Sequence, residues 1–150
     1  MKTLLAATCA AALLISGCGE NLQEAPTEVK EAVQVRNTIT IQINGKEFTA
    51  TLENKRSARA FAERLPLEVD ATELNGNEKY FYLDDDLPTD AVRINQIHAG
   101  DLMLYESNCV VLFYRDFTTS YSYTRLGKLD NPAGLLSTLG DGNVHIKFEE

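Results

Sequence analysis

The 150-residue chain has few basic residues, and this shortage excludes one class of partner. It carries 14 lysines and arginines against 22 aspartates and glutamates, so its formal net charge is −8. The basic residues form no stripe along the sequence that would offset this charge. An acidic surface repels phosphate backbones and anionic head groups alike. Nucleic acid is therefore not an expected partner.

Catalytic and metal-binding motifs are also lacking. There is no Ser-His-Asp arrangement, no glycine-rich phosphate loop and no Cys-x-x-Cys. The two histidines, His98 and His145, lie far apart, and His145 alternates with apolar neighbours, so we expect it to face water. Consecutive carboxylates such as residues 84–86 rarely converge on one ion, and we interpret them, with Asp90, as a solvated acidic loop. We predict neither a metal nor a cofactor.

No hydrophobic run is long enough to cross a bilayer. Residues 4–15, "LLAATCAAALLI", are uncharged but fall short of the roughly 20 apolar residues that a spanning helix needs. Behind Lys2, this run suits the core of a secretory signal. It ends in "ISGC", which resembles the lipobox of bacterial lipoproteins, in which Cys18 would carry the lipid. An ordinary signal peptide followed by a chance cysteine is the alternative.

The lipobox resemblance implies three segments. We predict a signal peptide over residues 1–17, a lipidated Cys18 with a flexible acidic tether over residues 18–36, and one domain over residues 37–150. Acyl chains contribute about 0.8 kcal/mol per buried methylene, so the domain would be held on a membrane of the cell envelope without crossing it. Gly19 stands where an aspartate would resemble an inner-membrane retention signal, which favours the outer membrane in a Gram-negative cell.

The three cysteines build no disulfide framework. Cys9 would leave with the signal and Cys18 would be lipidated, which leaves Cys109 as the single free thiol. Because Cys109 begins the apolar segment "CVVLFY", we interpret it as a small buried hydrophobic residue rather than a nucleophile.

Strand patterns dominate the predicted domain. "TITIQI" and "KEFTATL" alternate cleanly and flank Asn44-Gly45, a strong hairpin signal. Further strands are predicted at "EKYFYL", "DLMLYE", "CVVLFY", "SYSYTRLGKL" and "VHIKFE". The segments "LMLY" and "CVVLFY" are apolar on both faces, so one face must line a barrel interior and the other must be covered by a helix or loop. A mainly β fold with a small closed barrel is predicted.

Two short helices are expected to cap this barrel. Apolar residues at helical spacing predict the first over residues 57–65, with Ser57 as its N-cap and Pro66 stopping it. The second follows Pro132 and ends at Gly140. Its predicted buried face consists of Leu135, Leu136 and Leu139.

Four segments carry a resemblance to a known family. "INGKEFTATL", "LNGNEKYFYL", "AGDLMLYESNCVVLFY" and "SYSYTRLG" occur in this order and resemble the bacterial cyclophilin-like domain family. The resemblance covers about residues 39–148 and implies a compact eight-stranded barrel with a helix at each end. Most members of that family have no assigned activity.

The resemblance raises a catalytic alternative. Eukaryotic-type cyclophilins are peptidyl-prolyl isomerases with a signature similar to Phe-His-Arg-x-Ile-Pro, and this segment is missing here. Isomerisation must lower a barrier of ~18–20 kcal/mol, which requires an apolar pocket and a donor to the prolyl nitrogen. Arg125, beside Tyr121 and Tyr123, is a candidate donor on a different strand.

Several tyrosines cluster on the same faces of predicted strands, and this clustering predicts a groove. Tyrosine on a strand is usually structural, yet here Ser and Thr alone lie opposite the tyrosines of residues 119–125. We expect Tyr123 to be packed, and Tyr121 and Arg125 to lie near a rim. The predicted groove residues are Asn75, Asn77, Tyr80, Tyr82, Met103, Tyr105, Tyr121, Tyr123 and Arg125.

Three functions remain open. The leading hypothesis is a lipid-anchored module whose aromatic groove binds a peptide or small molecule. The second is a prolyl isomerase acting on envelope proteins. The third is a non-catalytic subunit that docks to an envelope complex through its acidic surface. The oligomeric state does not follow from the sequence.

Overall fold

A computed structural model describes residues 37–150. The predicted signal peptide, the lipid site at Cys18 and the tether lie outside the described residues. Within residues 37–150, no helix is long and apolar enough to cross a membrane. The strands are β1 (Thr38–Ile43), β2 (Lys46–Leu52), β3 (Leu67–Leu74), β4 (Glu78–Tyr82), β5 (Val92–Arg93), β6 (Gln96–Ile97), β7 (Asp101–Tyr105), β8 (Cys109–Phe113), β9 (Phe117–Thr118), β10 (Ser122–Leu129) and β11 (Val144–Glu149). The helices are α1 (Arg56–Ala62) and α2 (Leu135–Leu139).

Eight of these strands form a closed antiparallel barrel, as predicted. The strand order is β2-β1-β11-β3-β4-β8-β7-β10, and β10 pairs back with β2 to close the ring. A bulge between Arg125 and Gly127 shifts the register of β10 against β7, and the strand pairs with β2 beyond it. Strand β5 extends the edge of β10, while β6 and β9 pair separately.

The first hairpin forms where the sequence predicts it. Asn44 and Gly45 both have positive φ, 48° and 77°, as a two-residue hairpin turn requires. The isoleucines of β1 are at most 1% exposed and point into the barrel. The alternation of apolar and polar residues therefore fixed which face of this hairpin is buried.

Strands β7 and β8 are covered on both faces, which confirms the expectation from their apolar sequences. Their inner residues join the main core inside the barrel. Their outer residues join a second core, to which segments outside the eight barrel strands contribute. This outer core includes Ile94, Ile97, Met103, Val111, Phe113 and Tyr123. The loops over this face create the surroundings of the candidate site.

The helix predictions need several corrections, and both helices are shorter than predicted. Helix α1 ends at Ala62 rather than at residue 65, and α2 begins at Leu135 rather than directly at Pro132. Helix α1 begins at Arg56, so Ser57 lies inside the helix and is not its N-cap. Helix α2 ends at Gly140 as predicted, but Leu136 is 40% exposed and does not share the buried face. In so short a helix, residues four apart face the core together, and these are Leu135 and Leu139.

Candidate functional site

A groove lies on the outer face of the barrel, above strands β4, β8 and β7. The register places Cys109 of β8 directly between Tyr82 of β4 and Tyr105 of β7. One row further along, Val111 lies beside Tyr80. Because cysteine and valine are shorter than tyrosine, the middle strand forms a floor and the tyrosines form walls. Neighbouring strands are about 4.8 Å apart, so the walls stand about 10 Å apart at the backbone.

The groove is large enough for one small ligand. Its volume is about 510 Å³, within the range of roughly 300–1,000 Å³ typical of small-molecule sites. The segment 117–121 contributes to its lining beside the strand residues. Tyr82 and Tyr121 are 65% and 61% exposed. Both rings therefore lie at the rim and remain accessible to a ligand.

The tyrosine rings support one another in two groups. Tyr80 and Tyr82 pack edge to face with ring centroids 5.8 Å apart. Tyr105 packs edge to face on Tyr121, at 6.1 Å, and against Tyr123, at 5.7 Å. Such pairs are stabilised beyond the burial of their area, by about 0.5–1.5 kcal/mol each. The two groups thus form preorganised walls.

Most of the predicted groove residues line this concavity. The structure brings together Asn75, Asn77, Tyr80, Tyr82, Tyr105, Tyr121 and Tyr123. Tyr123 is 6% exposed and packs into the outer core beside the groove. Their role in binding stays a prediction.

Two of the predicted residues do not line the groove. Met103 is 1% exposed and is part of the outer core. Arg125 pairs with Met103 across β10 and β7, on the side of β7 away from β8 and β4. Arg125 is not among the lining residues, whereas Tyr123, two residues earlier on the same strand, is. The expectation that Arg125 lies near the groove rim, and its role there, stay predictions.

Several lining residues were not among those predicted. Glu78 lies two residues before Tyr80 on the same face of β4, so the period of two would have identified it. Cys109 and Val111 required the register between strands that are distant in sequence. Phe117 and residues 118–120 come from a loop without a distinctive pattern.

Burial keeps the acidic groups of the groove protonated to higher pH. Burial and the nearby Glu78 raise the pKa of the Cys109 thiol to about 11. The same two causes raise the pKa of Tyr123 to about 12. The pKa of Glu78 itself is raised by burial and then by the negative charge of Glu73. A thiol with this pKa is not activated as a nucleophile, which agrees with its interpretation as a packing residue.

One polar atom at the groove has no partner among the described residues. The Oδ1 of Asn77 is buried and accepts no hydrogen bond within residues 37–150. Buried amide oxygens are normally satisfied, because an unmade hydrogen bond costs about 1–3 kcal/mol. The Oδ1 of Asn77 is therefore an unsatisfied acceptor among the described residues.

Comparison with known proteins agrees with this architecture. A closed eight-stranded barrel with two short helices is consistent with a cyclophilin-like fold. The model of the cyclophilin-like family matches residues 41–149, and the chain belongs to that family. No curated protein matches the chain.

A solved structure shares the fold at low identity. It is the solution structure of the hypothetical protein AF2241 from Archaeoglobus fulgidus, which is 20% identical, with a TM-score of 0.54. The match covers 77% of this chain and 95% of that chain. At this identity the likeness concerns the fold alone.

Proposed function

We propose that the protein is a binding module whose outer groove takes one small organic molecule or a short peptide segment. The observation that carries this proposal is the concave floor of Cys109 and Val111 between two groups of tyrosines. A cleft in which hydrophobic and aromatic side chains are combined with polar groups is the usual form of a ligand site. Fold-level likeness alone would not support a function.

Binding is favoured over prolyl isomerisation because of what lines the groove. None of its lining residues, all within residues 37–150, is an arginine or a histidine. Arg125, the candidate donor, lies outside the lining. The groove therefore has aromatic surface for a ligand but lacks, among its lining residues, the cationic donor that would favour the twisted prolyl bond.

A substitution on the floor tests the groove directly. Cys109→Phe places a ring between Tyr82 and Tyr105, so we expect affinity for groove ligands to fall at least tenfold. Ligands are identified by screening small aromatic and peptide fragments against the ¹⁵N-labelled protein by NMR. In the wild type, their binding should shift the amide signals of Tyr105, Cys109 and Val111.

Cys109→Ala is the matched control, because it deepens the floor without filling it and should keep the binding. Thermal unfolding of both variants verifies that the fold is intact. If all fragments shift signals on the opposite side of the barrel, or if Cys109→Phe binds as the wild type does, the groove is not the binding site.

We infer that the module is anchored to an envelope membrane by lipid on Cys18. Support comes from the uncharged run of residues 4–15 and the lipobox-like "ISGC" that follows it. In cells fed radiolabelled palmitate, Cys18→Ser should abolish labelling and release the protein from membranes. Cys9→Ser is the control and should be labelled normally. Equal labelling of both variants would contradict the anchor.

A further inference from the structure

The charged lining of the groove is of negative sign only. Among its lining residues, all in the described part of the chain, Glu78 is the one charged side chain, and no lysine, arginine or histidine accompanies it. The full chain adds a formal net charge of −8. An anionic ligand would be repelled both locally and by the whole molecule.

Glu78 is a half-buried carboxylate without a cationic partner in the described part of the chain. None of the ion pairs within residues 37–150 includes it. On β4 it shares the outer face with Tyr80 and Tyr82, since residues two apart point the same way. After burial, its charge is the next cause that raises the pKa of Tyr123 and of Cys109, two other residues of the lining. A carboxylate in these surroundings gains from a positive charge placed beside it.

The tyrosine walls favour the same kind of ligand. The face of an aromatic ring carries negative potential and attracts a cation within about 6 Å of the ring centroid. In an edge-to-face pair only one face of one ring is occupied by its partner, so Tyr82 and Tyr121 at the rim keep ring surface accessible. The aromatic rings stand on both sides of a floor that is about two strand spacings wide. The space between them matches the size of a substituted ammonium group.

We propose that the groove recognises an organic ammonium group, held between the tyrosine pairs with Glu78 as its counter-charge. This inference rests on the proposed function and narrows the ligand to one chemical class. The ammonium group belongs either to a free small molecule or to a side chain of a peptide.

The test compares ligands that differ in charge but not in shape. Choline and its neutral carbon analogue 3,3-dimethylbutan-1-ol are titrated against the full ¹⁵N-labelled chain, with N-acetyl-trimethyllysine amide as the side-chain source of the same group. We expect choline or the trimethyllysine compound to bind at least fivefold more tightly than the neutral alcohol and to shift the amide signals of Cys109 and Val111. Which of the two cations binds more tightly distinguishes the sources.

Glu78→Gln should remove most of this preference for the cation. Glu47→Gln is the matched control, because Glu47 is exposed on β2 and its substitution changes the net charge equally. Equal binding of the cation and the neutral alcohol, or equal effects of the two substitutions, would overturn the cation inference while leaving groove binding intact. If neither these ligands nor the wider fragment screen shifts groove signals, the proposed function itself fails.

Discussion

Replacing Gly127 with alanine is expected to lower the free energy of unfolding by about 3 kcal/mol, as severe overpacking does. A Cβ at this position would lie 2.5 Å from the carbonyl oxygen of Thr51 and 2.9 Å from the Cα of Leu52. Both are backbone atoms of β2, which have no rotamer that would move them aside. The strands must therefore separate locally to accept one methyl group.

The site of this clash closes the barrel. Gly127, Lys128 and Leu129 of β10 pair with residues 50–52 of β2, and these three pairs join the two ends of the sheet. The bulge between Arg125 and Gly127 sets the position at which β10 meets β2. Loss of this pairing would expose the edges of both strands, which are otherwise protected by closure.

Urea denaturation measures the effect as a shift in the midpoint at unchanged slope. Gly142→Ala is the matched control, because no atom lies within 4 Å of its added Cβ. We expect this control to stay within about 0.5 kcal/mol of the wild type. Equal midpoints for the two variants would show that β2 and β10 accommodate the methyl group without loss of pairing.

Much of the barrel could be predicted from local sequence patterns. Alternation and continuous apolar runs together identified seven of the eight barrel strands, and the turn at Asn44-Gly45 follows from the need for two positive φ angles. Strand β3 was not predicted, although Leu67, Val69 and Ala71 alternate with polar residues. The high content of charged residues in β3 obscured this alternation in the sequence. In the fold, pairing with the neighbouring strands makes it a barrel strand.

The groove depends on information that no local pattern contains. Cys109 meets both Tyr82 and Tyr105 because β8 lies between β4 and β7, which is a property of strand order and register. The clustering of tyrosines along the sequence was visible, but their convergence on one groove was not. The absence of Arg125 from the lining likewise depends on register, which places it opposite Met103 of the outer core.

A second large effect is expected at Lys79, the most deeply buried charge of the described residues. Its side chain is 0% exposed, and its Nζ donates to three oxygens: Glu73 Oε2 at 2.5 Å, the Gly142 carbonyl at 2.6 Å and the Gly140 carbonyl at 2.8 Å. An ammonium group has three donors, so all of them are used. These bonds connect the β3–β4 hairpin to the segment after α2.

Lys79→Met keeps a similar length and removes the charge. We expect it to lower the free energy of unfolding by about 3 kcal/mol, because removing one partner of a buried pair leaves the other uncompensated. Two backbone carbonyls would lose a donor at the same time. Urea denaturation at pH 7 measures this loss, with Lys128→Met as the control at an exposed position. A loss no larger than that of the control would contradict the role of the buried ammonium.

The pH dependence separates the ion pair from simple packing. Burial raises the pKa of Glu73, but hydrogen bonds from Lys79, the Tyr114 hydroxyl and the Gly76 N–H outweigh it, so the folded pKa lies below the ordinary value of 4.5. Such a carboxylate stabilises the fold above its unfolded pKa, and this contribution is lost as the pH falls through its folded pKa. In Lys79→Met the main cause of the lowered pKa is gone, so the gap in unfolding free energy between variant and wild type should shrink on acidification from pH 7 to pH 3. A gap that stays constant over this range would assign the whole effect of Lys79 to its packing and its carbonyl contacts, because the ionisation of Glu73 would then contribute nothing.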